Sequence, residues 1–365
     1  LTTQTTEDFC EVTPPKPRIF LYFIGIDVSK NKLDIALYQN NIFIKHNVIE
    51  NKIAAISEYV KELKLLNRYM ISKSVFCMEN TGNYCNPLLV FLTKVKANIV
   101  VENSLQIRNS FGTIRGKYDK IDSMRIAQYA YKDRDRLRLW EPRRQIINSL
   151  ASLFTLRRKL LDLKGAITIP LTEQSAFSDK IIKQQNTTLC KNSLDALSSD
   201  LKQIEGFIAD VIKSDARLNR LMEIITSVSC VGPITALLII ITTNEFININ
   251  DPKKFACYAG VAPFVKESGT ITGRAKVSNI ANKKMKALLN SCAVNASRFS
   301  PDLREYYIRK TEKEGKAKML VLNAIRNKLI LRIFSCVNQD RLYGIEQPDI
   351  KYTSKIHIDE LDTVS

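Results

Sequence analysis

Three apolar runs crowd the beginning of the chain, and their spacing restricts what it can fold into more than any other stretch. Phe20 to Val28, Leu33 to Leu37 and Ile42 to Val48 each have the length of a strand, and only short polar turns part them. Connections that short return a strand antiparallel to its neighbour, so the reading is a three-stranded meander. The first run carries one acid, Asp27, near its end. There its carboxylate is presented at the rim of the sheet.

The next elements alternate. A helix is expected from about Lys52 to Leu66, where Ile53, Ile56, Tyr59, Val60 and Leu63 recur at helical spacing. Ser74 to Met78 reads as a strand with Glu79 immediately after it, and an amphipathic helix follows through Lys94. Ala97 to Val101 is a further strand, Glu102 to Asn109 a short helix and Thr113 to Lys117 a basic connection. The segment KYDKIDSMRIAQYA then opens a helix with Asp119 and Asp122 three residues apart. That spacing places both carboxylates on one face near the positive end of the helix dipole.

The formal charge is +18, from 55 basic and 37 acidic side chains, and a field of that sign favours a polyanionic partner. With 365 residues, 45% of them hydrophobic, the chain can build two or three cored domains. Its longest apolar run, Ile234 to Ile241, falls short of the roughly 20 residues a membrane span needs. The N-terminus shows no signal-peptide pattern, and the expectation is a cytoplasmic, nucleoid-associated protein without a membrane partner. The eight cysteines include no CxxC pair, which argues for free thiols over a zinc site.

Asp27, Glu79, Asp119 and Asp122 are the candidate chemistry. Two carboxylates as close as Asp119 and Asp122 repel unless a cation or solvent separates them. An acid on a strand, a second at a strand end and two on a helix, within a mixed α/β domain, match what an RNase H-like fold needs to hold two hard divalent cations. Mg2+ (or Mn2+) prefers such oxygen ligands and assists in-line displacement at phosphate.

At these residues the chain resembles the DEDD transposases of bacterial insertion sequences, a family that also includes the Piv-type DNA invertases. The resemblance rests on GIDVSK with Asp27, MENTGNY with Glu79, and KYDKIDSMRIAQYA with Asp119 and Asp122. Downstream it rests on CVGPITALLIIIT and FACYAGVAPFVKESGTITGRAKVS. It implies a RuvC-like N-terminal domain, a helical or coiled-coil connector and a mostly α-helical C-terminal transposase domain with a catalytic serine. It also implies donor and target double-stranded DNA, a noncoding bridge RNA that pairs with both, and a homodimer or homotetramer whose active site is composite between subunits. On this footing the chain divides into a lead-in over 1–18, a RuvC-like domain over 19–144, a connector over 145–225, a serine domain over 226–340 and a tail over 341–365.

From Gln145 to about Ala166, and again from Leu194 to Val228, apolar residues recur at helical spacing, with a polar link at Pro170 to Ser193. SCVGPITALLIIIT reads as half of a helix-hairpin-helix, in which helix-start N–H groups can meet a DNA phosphate. Cys230 stands where the family has glycine. Ser268, before Gly269 in a polar loop, is the nucleophile the resemblance implies, forming a transient 5'-phosphoserine link. Ser278, in a GRxxxS stretch, is its fallback, and the chain departs from the family's continuation at Asn279 and Ala281. A serine hydroxyl needs a base, a metal or close phosphate positioning to react.

Residues 265 to 328 hold fifteen Lys or Arg against five Asp or Glu. Arg115, Lys117, Arg143, Arg144, Arg274, Lys276, Lys283 and Lys284 are the expected nucleic-acid contacts, positioning the backbone more than reading bases. The expected activity is DNA cleavage and strand exchange. Its rivals are a RuvC-like structure-selective endonuclease that uses metal-activated water, and an inactive nucleic-acid scaffold.

Overall fold

The computed structural model describes residues 19–111, 118–174, 179–268, 271–278 and 281–344. The chain forms two compact units, Leu1–Pro142 and Arg143–Ser365.

In the first unit β1 (Tyr22–Val28), β2 (Lys32–Gln39) and β3 (Ile42–Glu50) form the expected antiparallel meander. After α1 (Ile53–Lys64), β4 (Ser74–Glu79) joins β1 in parallel. After α2 (Asn86–Lys94), β5 (Asn98–Glu102) joins β4 in parallel, and the order across the sheet is β3-β2-β1-β4-β5. Then come α3 (Ser104–Asn109) and α4 (Asp119–Lys132).

Both faces of this sheet are covered, so its central strands read as nearly continuous apolar runs. Ile24, Ile26, Ile35 and Met78 pack with Ile56, Val60 and Leu63 of α1 and Leu88 and Leu92 of α2. Phe23, Ala36, Val75 and Cys77 turn to the other face, against Ile107 of α3 and Ile126, Ala127 and Ala130 of α4. Because side chains alternate along a strand, Gly25 and Asp27 share the α4 face with Phe23. The approach there is close: a Cβ on Gly25 would lie 2.2 Å from both Ala127 N and Ser123 O. Only glycine lets the α4 backbone rest directly on β1.

The second unit opens with two long helices, α5 (Gln145–Gln174) and α6 (Lys180–Lys213), packed on each other. Much of the segment 170–193, expected to be a polar link, is helical instead. Its polar residues face solvent while the pair is tied elsewhere by Arg157 to Glu205 (2.7 Å) and Lys164 to Ser198 (2.9 Å). The helix expected over 194–228 is two. It breaks after Lys213, and Asp215 caps α7 (Ala216–Ser227) by accepting from Leu218 N at 2.9 Å.

A short turn leads from α7 to α8 (Pro233–Thr243), which is buried almost throughout and ends in three successive left-handed residues, Asn244, Glu245 and Phe246. α9 (Pro252–Tyr258) precedes a hairpin of β6 (Pro263–Ser268) and β7 (Ile271–Val277), where a polar loop was expected. Three helices complete the unit: α10 (Lys283–Phe299), α11 (Pro301–Ile308) and α12 (Lys318–Asn338). Among the described residues no helix is long and apolar enough to cross a membrane, and the seven described cysteines are free.

Candidate active site

Asp27 and Glu79 follow directly from the parallel pairing of β1 and β4. Ile26 and Met78 are register partners on the α1 face, so the next residue of each strand turns to the α4 face at the same level. In open sheets the carboxyl ends of parallel strands are where function gathers. α4 begins at Asp119, and Asp122 lies one turn on. All four carboxylates line one cavity of about 620 Å³, shared with Ser104, Arg108 and Phe111. The four acids singled out in sequence, drawn from three separated segments, are thus brought together.

Their mutual repulsion registers on Asp27. Partial burial first, then the charges of Asp119, Asp122, Glu79 and Asp34, push its carboxyl up to about 6 from 3.8. Two basic residues offset part of this field. Lys32 Nζ donates to Asp119 Oδ2 at 2.7 Å and lies 3.0 Å from Asp34 Oδ2, and these bonds hold the ammonium above the usual lysine range. Arg125 Nη1 donates to Asp122 Oδ1 at 2.9 Å.

Asp34 escaped the sequence reading. It is the cross-strand partner of Asp27, only 5% exposed, with His46 Nε2 at 3.3 Å from its Oδ1. The signal was an acid inside the apolar run LDIAL. Glu102 was missed in the same way. It ends β5 opposite Glu79 and accepts from Tyr129 Oη at 3.0 Å.

Four carboxylates on one cavity are hard oxygen donors, and their repulsion is the kind a divalent cation relieves, so the donor chemistry fits Mg2+ or Mn2+. Among the described residues no group of three His, Cys, Asp or Glu side chains converges tightly enough to hold an ion. The acids surround the cavity rather than meet at a point.

In the second unit Ser268 ends β6, its backbone in register with Ile271. Ser278 directly follows β7. Arg274 lies in β7, and Lys276, exposed, is the register partner of Phe264. Lys283 and Lys284 are exposed in the first turn of α10, where they add to the positive end of the helix dipole.

Arg143 is the first residue of this unit and is half-buried. The fork of Arg144 is occupied: it donates to Asp215 at 2.6 Å and to Glu245 at 2.6 Å, and the Glu245 side chain is fully buried. Arg144, expected from the sequence to contact nucleic acid, is thus ion-paired within the unit while its side chain stays 40% exposed. Arg115, Lys117 and Gly269 lie outside the described residues.

A mixed sheet with acids at its parallel strand ends, in a strongly basic chain, describes a class of enzymes that act on nucleic-acid phosphates. Residues 24–172 match the family profile of IS110 DEDD transposases, and residues 222–308 match the profile described as Transposase IS116/IS110/IS902 family. The chain belongs to this family of transposases and is an enzyme of DNA recombination. It is 24% identical over 327 residues to the pilin gene-inverting protein of Moraxella bovis, covering 87% of this chain and 96% of that one. The same figures hold for the pilin gene-inverting protein of Moraxella lacunata. An uncharacterised 43.6 kDa protein of insertion element IS110 from Streptomyces coelicolor is 26% identical over 140 residues, 37% of this chain and 34% of that one.

Proposed function

We propose that the chain cleaves and exchanges DNA strands for insertion-sequence movement, with Asp27, Glu79, Asp119 and Asp122 as divalent-metal ligands and Ser268 as nucleophile. The observation that carries the metal half is the gathering of those four acids on one cavity at the ends of β1 and β4. A RuvC-like RNase H fold accounts for the strand order β3-β2-β1-β4-β5, with its antiparallel meander and two parallel additions. Bound Mg2+ or Mn2+ supplies charge neutralisation at the phosphate and polarises the reacting oxygens.

In the covalent step the Ser268 hydroxyl oxygen attacks the scissile phosphorus. A serine–phosphate bond forms, the bond to the 3'-oxygen breaks, and the leaving 3'-oxygen takes the proton. Attack by another strand's 3'-hydroxyl reverses these bonds and completes exchange. Lys276, Lys283 and Lys284 supply charge for the DNA backbone near this hairpin. The partners are donor and target DNA, a noncoding bridge RNA, and further copies of the chain.

The test incubates the chain with end-labelled donor DNA and Mg2+, then resolves protein–DNA adducts under denaturing conditions. The wild type is expected to form an adduct that Ser268→Ala abolishes while DNA binding persists, and Asp27→Asn is expected to abolish cleavage. Hydrolysed ends without an adduct from Ser268→Ala would identify a nuclease acting through water. Unchanged strand chemistry in Asp27→Asn would refute the carboxylate site.

A further inference from the structure

A second cavity, of about 240 Å³, lies in the second unit between α11 and α12 and is lined by Asp302, Glu305, Tyr306, Arg309, Lys328 and Arg332. Its acids and bases sort unequally. Asp302 is taken by Arg332 and by Ser300, whose hydroxyl donates to it at 2.8 Å. Arg309 and Lys328 have no carboxylate partner among the described residues, and Glu305 is the one lining acid without an ion pair there. Cationic charge is therefore in surplus where the cavity meets solvent.

Two further features set this surplus in place. Tyr306 gathers the cations over its ring: Lys328 Nζ lies 4.8 Å from the ring centroid, the Arg309 guanidinium 5.8 Å and Lys310 Nζ 6.0 Å. Ring and cations attract one another through the aromatic quadrupole, which orders long side chains that would otherwise roam. The backbone contributes as well. α11 runs on into a π-helical turn, Arg309–Lys313, closed by Glu314 N donating to Arg309 O at 3.1 Å. Widened turns of this kind are rare overall and frequent at functional sites. Here the turn carries Arg309, and beside it Lys310, whose charge is met by Glu314 at 2.7 Å, which leaves Arg309 and Lys328 as the surplus around Tyr306.

We propose that this cavity is a phosphodiester clamp, in which Arg309 and Lys328 hold one backbone phosphate of a bound nucleic acid. The inference rests on the nucleic-acid reading of the chain and adds a specific anchoring point well away in sequence from Ser268. An arginine fork and a lysine point charge at one spot suit phosphate, the first by geometry and the second by charge. The phosphate can belong to DNA or to RNA, and binding to each is measured separately.

The test is fluorescence anisotropy of the full chain with labelled duplex DNA and with structured RNA over a series of salt concentrations. Each phosphate neutralised on duplex contributes about 0.9 to the slope of log K against log salt. The double variant Arg309→Gln, Lys328→Gln is expected to lower that slope by about 0.9, the share of one phosphate, on whichever polymer the clamp holds. Arg309→Lys, which keeps the charge, is expected to retain it. Loss on DNA alone assigns the clamp to DNA, and loss on RNA alone assigns it to RNA. Unchanged slopes on both, with wild-type binding intact, overturn the clamp and leave the broader reading standing. A wild type that binds neither polymer overturns both.

Discussion

Replacing Gly25 with alanine tests the packing that holds the carboxylates together. The added Cβ would meet Ala127 N and Ser123 O at 2.2 Å and Ala127 Cα at 2.8 Å. All three are backbone atoms of α4, so no flexible side chain can swing aside. Restoring ordinary contact moves α4 off β1 by roughly 1 Å, because a close-packed interior leaves no slack. Overpacking of this kind costs about 1–3 kcal/mol. The stiffer alanine in the unfolded chain returns about 0.4–1 kcal/mol. A net loss of about 1 kcal/mol is expected.

The consequence for chemistry is larger. Asp119 and Asp122 ride on α4 while Asp27 is fixed in β1, so the same retreat opens the carboxylate set. A misplacement of roughly 1 Å costs about 100-fold in rate. Urea unfolding and strand cleavage of labelled donor DNA measure the two effects. Gly206→Ala, inside α6 with nothing within 4 Å of its added Cβ, is the control and is expected to stabilise by about 0.5–1 kcal/mol. Wild-type stability and cleavage in Gly25→Ala would refute the idea that this contact sets the spacing.

The remaining predictions concern charge. Asp27 has its folded-state value raised to about 6 from 3.8, so its contribution to stability is present below about 3.8 and is lost as pH rises through about 6. With divalent ions removed by chelator, Asp27→Asn should therefore melt above wild type at pH 7.5 and level with it at pH 4. Solvent screening of this half-buried group limits the gain to about 1 kcal/mol. Arg144→Ala strips Glu245 of its bidentate partner and leaves it, among the described residues, with Arg217 at 3.3 Å; a loss of about 1.5–3 kcal/mol in urea unfolding is expected, which Arg144→Lys does not fully restore. Arg326 is 4% exposed, and among the described residues it bonds the side chains of Asn323 and Asn290 and leaves its Nε without a partner. Arg326→Met should unfold at the same urea concentration or a higher one, since an uncompensated buried charge is lost.

How far the sequence could be read depended on whether a residue's role was set by its neighbours along the chain. The meander and the positions of Asp27 and Glu79 were legible because alternation and short turns are local properties. Asp119 and Asp122 were legible because a spacing of three on a helix defines a face. Asp34 was not, since only the register of β1 with β2 places it opposite Asp27. The ion pair of Arg144 was not legible, because its partner Glu245 lies 101 residues away. The β6–β7 hairpin was hidden by its polar composition, and the continuation of α5 and α6 by a solvent-facing surface that removes the apolar periodicity helix recognition relies on.

That fork on Glu245 also bears on the order in which the chain is built. Arg144 is the second residue of its unit, and its buried partner follows 101 residues later. At a synthesis rate of about 5–20 residues per second, the two emerge from the ribosome roughly 10 s apart. Throughout that interval the sheet of the first unit is complete and free to fold. The left-handed turn at 244–246 has no such freedom: until it arrives, the helices that lead the second unit wait with their clamp open.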